Sequence, residues 1–357
     1  MRLLLLPGDG IGPEIVAATV QVLRAANDVF SLDLTFEERS IGFDALKATG
    51  TTMPEEVLDA ARAADGLIMG PVSHNAYPPR SEGGVNPSAI LRSGLDLYAN
   101  VRPARTRAGL DAPSQRTFDL VLFRENTEGF YADRNMPSGP AEFAPDADMA
   151  LAMRKITRRA SARIADAAFA AAEAREARKV TAVHKANVLR LSDGLFLEET
   201  RAAAARHPSV SYDEVLVDAM AAHLVREPER FDVIVTTNMF GDILSDLASE
   251  LSGGLGLAAS LNHGDTYAMA QAQHGSAPDI AGQGIANPSS LIGSASLLLD
   301  WLGRTRQEPA LSKAGHAIST ALDHALRDVM ARTPDIGGKG STMVFASAVA
   351  ALMKGEG

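Results

Sequence analysis

The amino-acid sequence predicts an α/β protein, on two observations. Short apolar runs alternate along the chain with amphipathic stretches, as expected where buried strands alternate with helices. Charged residues follow directly after several of these runs, as is common where a sheet carries a ligand site at the ends of its strands. A chain of 357 residues has room for about two domains of ordinary size.

The predicted strands are short apolar runs, and the predicted helices are amphipathic or alanine-rich stretches. In chain order the strands span residues 2–6, 66–69, 97–101, 118–123, 180–183, 211–217 and 231–236. The helices span residues 13–26, 54–64, 148–177, 194–205, 218–225, 242–251, 289–302, 313–330 and 341–353. Pro13 suits the first turn of a helix and Ser341 suits an N-cap, so both mark expected helix starts.

Composition and charge exclude several classes of protein. Hydrophobic residues make up 46% of the chain and charged residues 22%, which is ordinary for a globular protein. Lys plus Arg number 34 and Asp plus Glu 44, and the resulting charge of −10 offers no general basic surface to nucleic acid or an anionic membrane. The chain has no cysteine, which excludes disulfides, thiolate metal sites and a cysteine nucleophile.

No targeting or membrane segment is predicted. The N-terminal run of four leucines ends at Pro7 and is too short for a signal peptide. No stretch approaches the roughly 18 uninterrupted apolar residues of a membrane span. We therefore expect a cytoplasmic protein.

Polar and charged side chains that follow predicted strands indicate one cleft. In open α/β sheets ligands bind beyond the carboxyl ends of the strands, so these side chains are candidate walls of a ligand site. They are Arg102, Arg124, His184, Lys185, Asp218, Asn238 and Asp242.

Asp242 and Asp246 form a candidate metal site. Their spacing of four on a predicted helix places both carboxylates on one face, where they repel each other unless a cation lies between them. Carboxylate ligands suit Mg²⁺ or Mn²⁺. The same spacing also fits a solvated helix face, and Asp242 near the helix N-terminus is favoured by the helix dipole.

Arg92, Arg102 and Arg124 form a candidate anion site. Guanidinium groups bind carboxylates with two parallel hydrogen bonds, so three that converge suit a di- or tricarboxylic acid. A single Arg is more often a surface residue, but Arg102 and Arg124 follow runs predicted to be buried strands.

The glycine-rich segments do not have nucleotide-binding spacing. In GDGIGPE, residues 8–14, the glycines stand at 8, 10 and 12 and do not give the G-x-G-x-x-G pattern of a Rossmann fold. GGKGST, residues 337–342, likewise lacks the P-loop spacing. The long polar segment HGSAPDIAGQGIANP, residues 274–288, is interpreted as a functional loop.

Together, segments spread over nearly the whole chain resemble the isocitrate/isopropylmalate dehydrogenase family, the metal-dependent β-decarboxylating dehydrogenases. These segments are LLPGDGIGPE, LDLYANVRPAR, FRENTEGFYADR, AVHKANVLR, VDAM, FDVIVTTNMFGDILSDLASELSGGLGL, HGSAPDIAGQGIANP and GGKGST. The resemblance implies a two-domain α/β fold that is not a Rossmann fold. One domain would comprise residues 1–98 and 252–357, and the central domain residues 99–251. The resemblance also implies a homodimer in which the central domains complete each other's active sites.

The resemblance assigns roles to the candidate residues. Arg92, Arg102 and Arg124 would bind the substrate's carboxylates, and Ser88 its distal part. Asp242 and Asp246, joined by Asp218 of the partner subunit, would bind Mg²⁺ or Mn²⁺. Lys185 of the partner subunit would assist deprotonation of the substrate hydroxyl, and Tyr131 would protonate the enol carbon after CO₂ is lost.

The cofactor implied by the resemblance is NAD. Asp279 stands where NAD-preferring members have an acid, which accepts hydrogen bonds from ribose hydroxyls and repels a 2′-phosphate. The motif places the cofactor on His274, Gly275, Ser276, Ala277, Asp279, Ile280 and Asn287. One departure is Gln271, where the family has a Glu that contacts the nicotinamide ribose.

The expected substrate is a 3-substituted malate, with a preference for one like isocitrate or homoisocitrate. Val85, Ser88 and Ala89 replace the apolar wall that encloses an isopropyl group, and leaving that group against Ser would forgo roughly 1–2 kcal/mol. No extra Arg occupies position 89, so a polar arm would meet Ser88 and Asn86, or the polar residues of the loop that follows Ser73. Those loop candidates are His74, Tyr77 and Arg80.

Alternative functions are 3-isopropylmalate dehydrogenase and a tartrate- or D-malate-type dehydrogenase. A catalytically inactive regulatory subunit would lack Tyr131, Lys185 or an Asp ligand, and none is lacking. A relative of the phosphohydroxythreonine dehydrogenases would bind metal through His rather than through three Asp.

Overall fold

The computed structural model describes residues 1–131 and 141–355. The last three residues of the motif FRENTEGFYADR, 132–134, lie outside the described residues. The strands are β1 (Arg2–Leu6), β2 (Thr35–Glu38), β3 (Gly66–Met69), β4 (Ala99–Arg105), β5 (Asp119–Glu125), β6 (Glu142–Asp146), β7 (Met149–Ala152), β8 (Lys179–His184), β9 (Ser211–Leu216), β10 (Val233–Thr236), β11 (Leu261–His263) and β12 (Ala268–Gln271).

The helices lie between and around these strands. They are α1 (Gly12–Phe30), α2 (Phe43–Thr49), α3 (Glu55–Ala63), α4 (Pro87–Gly94), α5 (Arg158–Glu173), α6 (Ser192–Arg206), α7 (Val217–Arg226), α8 (Asn238–Ser252), α9 (Ser289–Arg306), α10 (Pro309–Ala325) and α11 (Thr342–Lys354). The α/β prediction is confirmed.

One large mixed sheet runs through the described part of the chain, in the order β2-β1-β3-β12-β11-β4-β5-β10-β8-β9. Neighbouring strands are parallel from β2 to β12 and from β5 to β9. Between these two groups, β11 pairs antiparallel with both β12 and β4, and β4 pairs antiparallel with β5. This strand order is not that of a Rossmann fold, as expected. β6 and β7 form a separate two-stranded antiparallel sheet.

Both faces of the large sheet are covered by helices. On β1, Leu3 and Leu5 join a core cluster with α1 and α9 to α11, while Leu4 and Leu6 join another with α3 and α4. On β10, Val233 and Val235 pack with α5 and α6, and Ile234 packs with α7 and α8. The alternation follows from the period of two along a strand. The division into domains at residues 99 and 252 stays a prediction.

All nine predicted helices are present, but their bounds differ, and two of them differ most. Residues 148–157 of the predicted helix 148–177 are not helical: Met149–Ala152 is β7, and Thr157 caps α5 by accepting a hydrogen bond from the Ala160 N–H at 3.2 Å. The predicted helix 313–330 instead begins at Pro309, because proline fits the first turn, and ends at Ala325.

The strands β2, β6, β7, β11 and β12 were not predicted from the sequence. β11 and β12 have three and four residues and no β-branched side chain, so they carry little strand signal. In the sheet they join the two parallel halves. No helix in the described ranges is long and apolar enough to cross a membrane.

Candidate active site

The predicted substrate-binding residues line one cavity of about 280 Å³ beside β4, β5 and α8. Its walls come from distant parts of the chain: Pro71, Val72, His74, Asn86, Ser88, Arg92, Arg102, Arg124, Tyr131, Asp242, Ser260, Gln271, Ala272, Gln273, His274 and Gly275. The structure therefore brings together Ser88, all three predicted arginines, Tyr131 and one of the predicted metal ligands.

Arg102 and Arg124 reach the cavity from the interior of the protein. Arg102 lies within β4 and is 6% exposed, and Arg124 lies within β5 and is 2% exposed. Because β4 and β5 are antiparallel, the rule that sites lie beyond the carboxyl ends of parallel strands does not account for the position of Arg102. Arg124 Nε donates to Asn238 Oδ1 at 2.8 Å, which orients its guanidinium toward α8.

The two guanidinium groups meet the carboxylates of α8. Arg102 Nη1 contacts Asp242 Oδ1 at 3.3 Å and Asp246 Oδ1 at 3.2 Å. The positively charged guanidinium of Arg102 therefore lies between the two carboxylates. Arg124 Nη1 also donates to Asp242 Oδ1, and the Tyr131 hydroxyl donates to Asp242 Oδ2 at 2.8 Å. The repulsion expected between the paired aspartates is thus relieved by Arg102 within the protein itself.

The protonation states in this cluster follow from burial and charge. Burial lowers the pKa of Arg102 to about 10, and the nearby Arg124 cation acts in the same direction. Burial alone would raise the pKa of Asp242, but Arg124, Arg102 and the Tyr131 hydroxyl together hold it below its usual value. Asp242 is therefore a carboxylate at neutral pH, which is the form that binds a cation.

Arg92, on α4, is oriented by a different contact. Its Nη2 donates to Gln271 Oε1 at 3.0 Å, and the Ser88 hydroxyl donates to the same oxygen at 3.2 Å. The N-cap of α4 is Asn86, whose Oδ1 accepts from the Ala89 N–H at 3.3 Å. A Glu at position 271 would place a charge beside Arg92, whereas Gln271 offers a neutral acceptor.

The loop after Ser73 is anchored beside the cavity. Asp9 Oδ2 accepts from the Ser73 N–H at 2.8 Å and from the Tyr77 hydroxyl, and burial followed by the Asp9 contact raises the pKa of Tyr77 far above its usual value. Of the three loop candidates, His74 lines the cavity, while Tyr77 and Arg80 do not.

Lys185 and Asp218 lie outside this cavity. Lys185 Nζ donates to Asp218 Oδ1, and this contact lowers the pKa of Asp218. The Lys185 N–H donates to Asp193 Oδ2 at 2.6 Å, and the fully buried Asp193 pairs with Arg154. Arg154 Nη2 also donates at 2.9 Å to Thr237 Oγ1, at the N-cap of α8. The backbone of Lys185 is thereby linked to the start of α8, while its side chain pairs with Asp218 and does not line the cavity.

Most of the predicted cofactor residues line a second cavity of about 230 Å³. His274, Gly275, Ala277, Ile280 and Asn287 line it, together with Ile11, Gly256, Ile285, Ala286 and Asp335. His274 and Gly275 border both cavities, so the two are adjacent. Ser276 and Asp279 do not line it: the Ser276 hydroxyl bonds that of Ser73 at 2.7 Å, and Asp279 is exposed.

His274 presents a hydrogen-bond acceptor. Burial lowers its pKa, so the ring is neutral, and its Nδ1 lies 2.9 Å from the Gly275 carbonyl oxygen, which can only accept. Nδ1 therefore carries the proton and Nε2 is an acceptor. Nε2 is buried and has no hydrogen-bond partner among the residues that the structure describes.

The GDGIGPE segment supports the loop that carries these residues. The Ile11 N–H donates to the Ser276 carbonyl at 2.9 Å. Gly10 has a φ of 59°, and a Cβ at this position would lie 2.0 Å from the Ser276 oxygen. The glycine is thus required by close backbone contact with the loop.

Three contributing residues were missed from the sequence. Ser245 accepts from Arg102 at 2.6 Å, Gln273 Nε2 donates to Asp246 Oδ1 at 2.7 Å, and Asp335 accepts from Asn287 Nδ2 at 2.9 Å. Ser245 lies between the two aspartates and Gln273 precedes His274, so position within a motif was an available signal. Asp335 is 48 residues from Asn287 and gave none.

The two carboxylates fit a hard divalent cation whose remaining ligands would come from outside this chain. Asp242, which lines the cavity, and Asp246, one turn further along α8, offer carboxylate oxygens, which Mg²⁺ and Mn²⁺ prefer. Across residues 1–131 and 141–355, no group of three His, Cys, Asp or Glu could hold a metal ion. At least one further ligand would come from substrate, water or a second subunit.

Comparison with known proteins places this arrangement in context. The family model described as isocitrate/isopropylmalate dehydrogenase matches residues 2–351. An isocitrate/homoisocitrate dehydrogenase of Thermus thermophilus is 42% identical over 355 residues, covering 99% of this chain and 98% of that protein. The 3-isopropylmalate dehydrogenase of Methanothermobacter thermautotrophicus is 40% identical over 350 residues, covering 98% of each.

The fold also matches solved structures. The crystal structure of isocitrate dehydrogenase from Methylococcus capsulatus superposes with a TM-score of 0.87, at 39% identity, covering 99% of each chain. Relatives with different named substrates are almost equally similar in sequence, so overall similarity does not select one substrate.

Proposed function

Because the chain belongs to the isocitrate/isopropylmalate dehydrogenase family, we propose that it is an NAD-dependent dehydrogenase that oxidatively decarboxylates a 3-substituted malate with the help of Mg²⁺ or Mn²⁺. Family membership makes it a dehydrogenase of small hydroxy acids. The nucleotide, the metal and the individual substrate are our proposals.

The observation that carries the proposal is the convergence of three arginines and Asp242 on one small cavity. Two of the guanidinium groups, Arg102 and Arg124, are currently paired with Asp242. A divalent cation bound by Asp242 would take over that carboxylate and leave both arginines available to the carboxylates of a substrate. Cation and polycarboxylate should therefore strengthen each other's binding.

A bound metal and the residues of the cavity would share the chemical steps of the proposed reaction. A bound divalent metal would polarise the substrate hydroxyl and stabilise the enolate left by decarboxylation. Arg92, Arg102 and Arg124 would hold the substrate's carboxylates, and Ser88 would face its variable arm. Tyr131, whose hydroxyl already donates a hydrogen bond in this cavity, would protonate the enol carbon.

We propose that Lys185 and Asp218 act in the active site of a partner subunit, in a homodimer. Large apolar side chains are exposed after Lys185 and beside Asp242 in the sequence: Val188 is 67% exposed, Leu191 90% and Ile243 60%. The β6–β7 ribbon is exposed along its whole length, and an isolated two-stranded ribbon is at best marginally stable in water. A second copy of the chain would bury these surfaces.

The proposed cofactor is NAD rather than NADP. The second cavity carries Asp335 in its wall, and Asp279 lies next to the lining residue Ile280. Carboxylates accept hydrogen bonds from ribose hydroxyls and repel a 2′-phosphate. His274 Nε2 supplies an acceptor suited to the amino group of adenine.

We expect Asp279→Lys to shift the preference from NAD toward NADP. Replacing a repulsive charge with an attractive one should change the ratio of the two kcat/KM values by about 10- to 100-fold. Steady-state kinetics with both nucleotides measure the change. Asp111→Lys, which makes the same charge change at another exposed Asp, is the matched control. An unaltered ratio in Asp279→Lys would remove the role assigned to Asp279.

The substrate is expected to carry a polar rather than an apolar 3-substituent. Ser88 and Arg92 present polar groups to the cavity, and both already bond Gln271 Oε1. Burying an isopropyl group against these groups without new hydrogen bonds would be unfavourable. Isocitrate and homoisocitrate, whose 3-substituent ends in a carboxylate, fit this requirement best, and tartrate, which carries a 3-hydroxyl, fits it next.

The direct test is a panel of 2-hydroxy acids assayed for NADH formation with Mn²⁺. We expect isocitrate or homoisocitrate to exceed 3-isopropylmalate by at least about tenfold in kcat/KM. A preference for 3-isopropylmalate would contradict the substrate proposal but retain the reaction. No NADH from any acid in the panel, with the enzyme folded and Mn²⁺ present, would contradict the proposed function as a whole.

A further inference from the structure

Gln273 joins two parts of the molecule that are distant in sequence. Its Nε2 donates to Asp246 Oδ1 at 2.7 Å and to Ser249 Oγ at 3.1 Å, both on α8. Its backbone N–H donates at 3.2 Å to Ser290 Oγ, near the start of α9. The side chain therefore spans from the loop after β12 to the helix that carries Asp242 and Asp246.

The orientation of the Gln273 amide follows from the chemistry of its partner. A carboxylate only accepts hydrogen bonds, so the NH₂ group must face Asp246 and the carboxamide oxygen must point away from it. That oxygen is buried and has no partner in the described part of the chain. Gln273 thus lines the substrate cavity. Its NH₂ group is bonded to α8, whereas its carboxamide oxygen lacks a hydrogen-bond donor among the described residues.

Gln273 also restricts how Asp246 can be used. Arg102 Nη1 and Gln273 Nε2 both donate to Oδ1 of Asp246, and neither contacts Oδ2. The Asp246 side chain is otherwise half exposed. Gln273 therefore holds the carboxylate through Oδ1, as donors behind a metal-ligating carboxylate do.

From these contacts we propose that Gln273 is a positioning residue that couples the metal site to the dinucleotide site. His274, the next residue, borders both cavities, so a dinucleotide that contacts His274 acts on the segment that holds Asp246. The inference rests on the proposed function, because it takes Asp242 and Asp246 as metal ligands and NAD as the dinucleotide. It adds that binding of either ligand changes the affinity for the other through Gln273.

The test is Mn²⁺ binding to the full-length protein without substrate, measured by electron paramagnetic resonance with and without NAD. In the wild type we expect NAD to change the Kd for Mn²⁺ severalfold. Gln273→Met keeps the length of the side chain and removes the amide, and Gln273→Leu removes it with a branched side chain. Both variants should weaken Mn²⁺ binding about tenfold, and NAD should then change the Kd by less than twofold. Circular dichroism confirms that each variant is folded.

Gln21→Leu is the matched control, because Gln21 Nε2 bonds Ser347 Oγ at 2.9 Å on the surface, far from α8 in sequence. It should bind Mn²⁺ as the wild type does. Wild-type Mn²⁺ binding that does not respond to NAD would overturn the coupling, whatever the variants do. Equal Mn²⁺ affinity in the wild type and a folded Gln273 variant would overturn the positioning role alone. No Mn²⁺ binding by the wild type would overturn this inference together with the proposed function.

Discussion

Asp242→Asn is expected to lower metal-dependent kcat by about 10³-fold or more, because it removes the carboxylate on which the proposed metal site depends. In the cavity without ligands, Asp242 is bonded by Arg102, Arg124 and Tyr131. Asn keeps one oxygen for these donors but carries no charge to attract a divalent cation. The assay is NADH formation with increasing Mn²⁺, and the loss should persist at saturating metal.

The control for this variant addresses stability. Removing the charge leaves Arg102 and Arg124 buried near each other with less compensation, so some loss of thermal stability is also expected. Asp59→Asn makes the same substitution at an exposed helical Asp paired with Arg62 and should retain wild-type activity. Asp242→Asn with unchanged turnover at saturating Mn²⁺ would contradict the role of Asp242 as a ligand.

Two inactive variants are expected to restore activity when combined, because the proposed active site is shared between subunits. Lys185→Met should lower kcat by about 10²- to 10⁴-fold, the contribution typical of a group that moves a proton. Asp242→Asn disables the same site from the other subunit. In a hybrid dimer one site carries both defects and the other carries neither. Random reassociation of equal amounts should therefore restore about a quarter of the wild-type activity.

The mixing experiment has its own controls. Lys179→Met removes a lysine that is paired with Asp213 at 2.9 Å, much as Lys185 is paired with Asp218, and it should leave activity unchanged. Each inactive variant denatured and refolded alone should remain inactive. If the mixture also stays inactive while the wild type treated in the same way recovers, Lys185 and Asp242 act in the same subunit, and the shared site is wrong.

The sequence predicted the longer elements well because their signal is local. Leu3 to Leu6 on β1 and Val233 to Val235 on β10 are apolar runs that suit strands buried on both faces. The predicted helix 148–177 was too long at both ends, because residues 149–152 form β7 and the helix runs only from Arg158, after its N-cap Thr157, to Glu173. β11 and β12 were missed because their few residues form strands only through pairing with β4 and β3.

For the site, the sequence determined which chemical groups are available. The resemblance pointed to Ser88, Arg92, Arg102, Arg124, Tyr131 and Asp242, and the structure places all of them on one cavity. The sequence could not indicate that Arg102 bridges Asp242 and Asp246, since that contact depends on β4 running antiparallel to β5 beneath α8. Nor could it place Asp335 beside Asn287, 48 residues away.

The sequence by itself thus determined the fold class, the family and the residue types that can bind a cation and carboxylates, because periodicity, composition and motifs are properties of short segments. Only the tertiary structure decided which of these groups meet. It brought Gln273 to Asp246, gave Arg92 a neutral partner in Gln271, and left Lys185 and Asp218 outside the cavity that the arginines line. Such contacts depend on strand order and helix packing over the whole chain, and no local pattern encodes them.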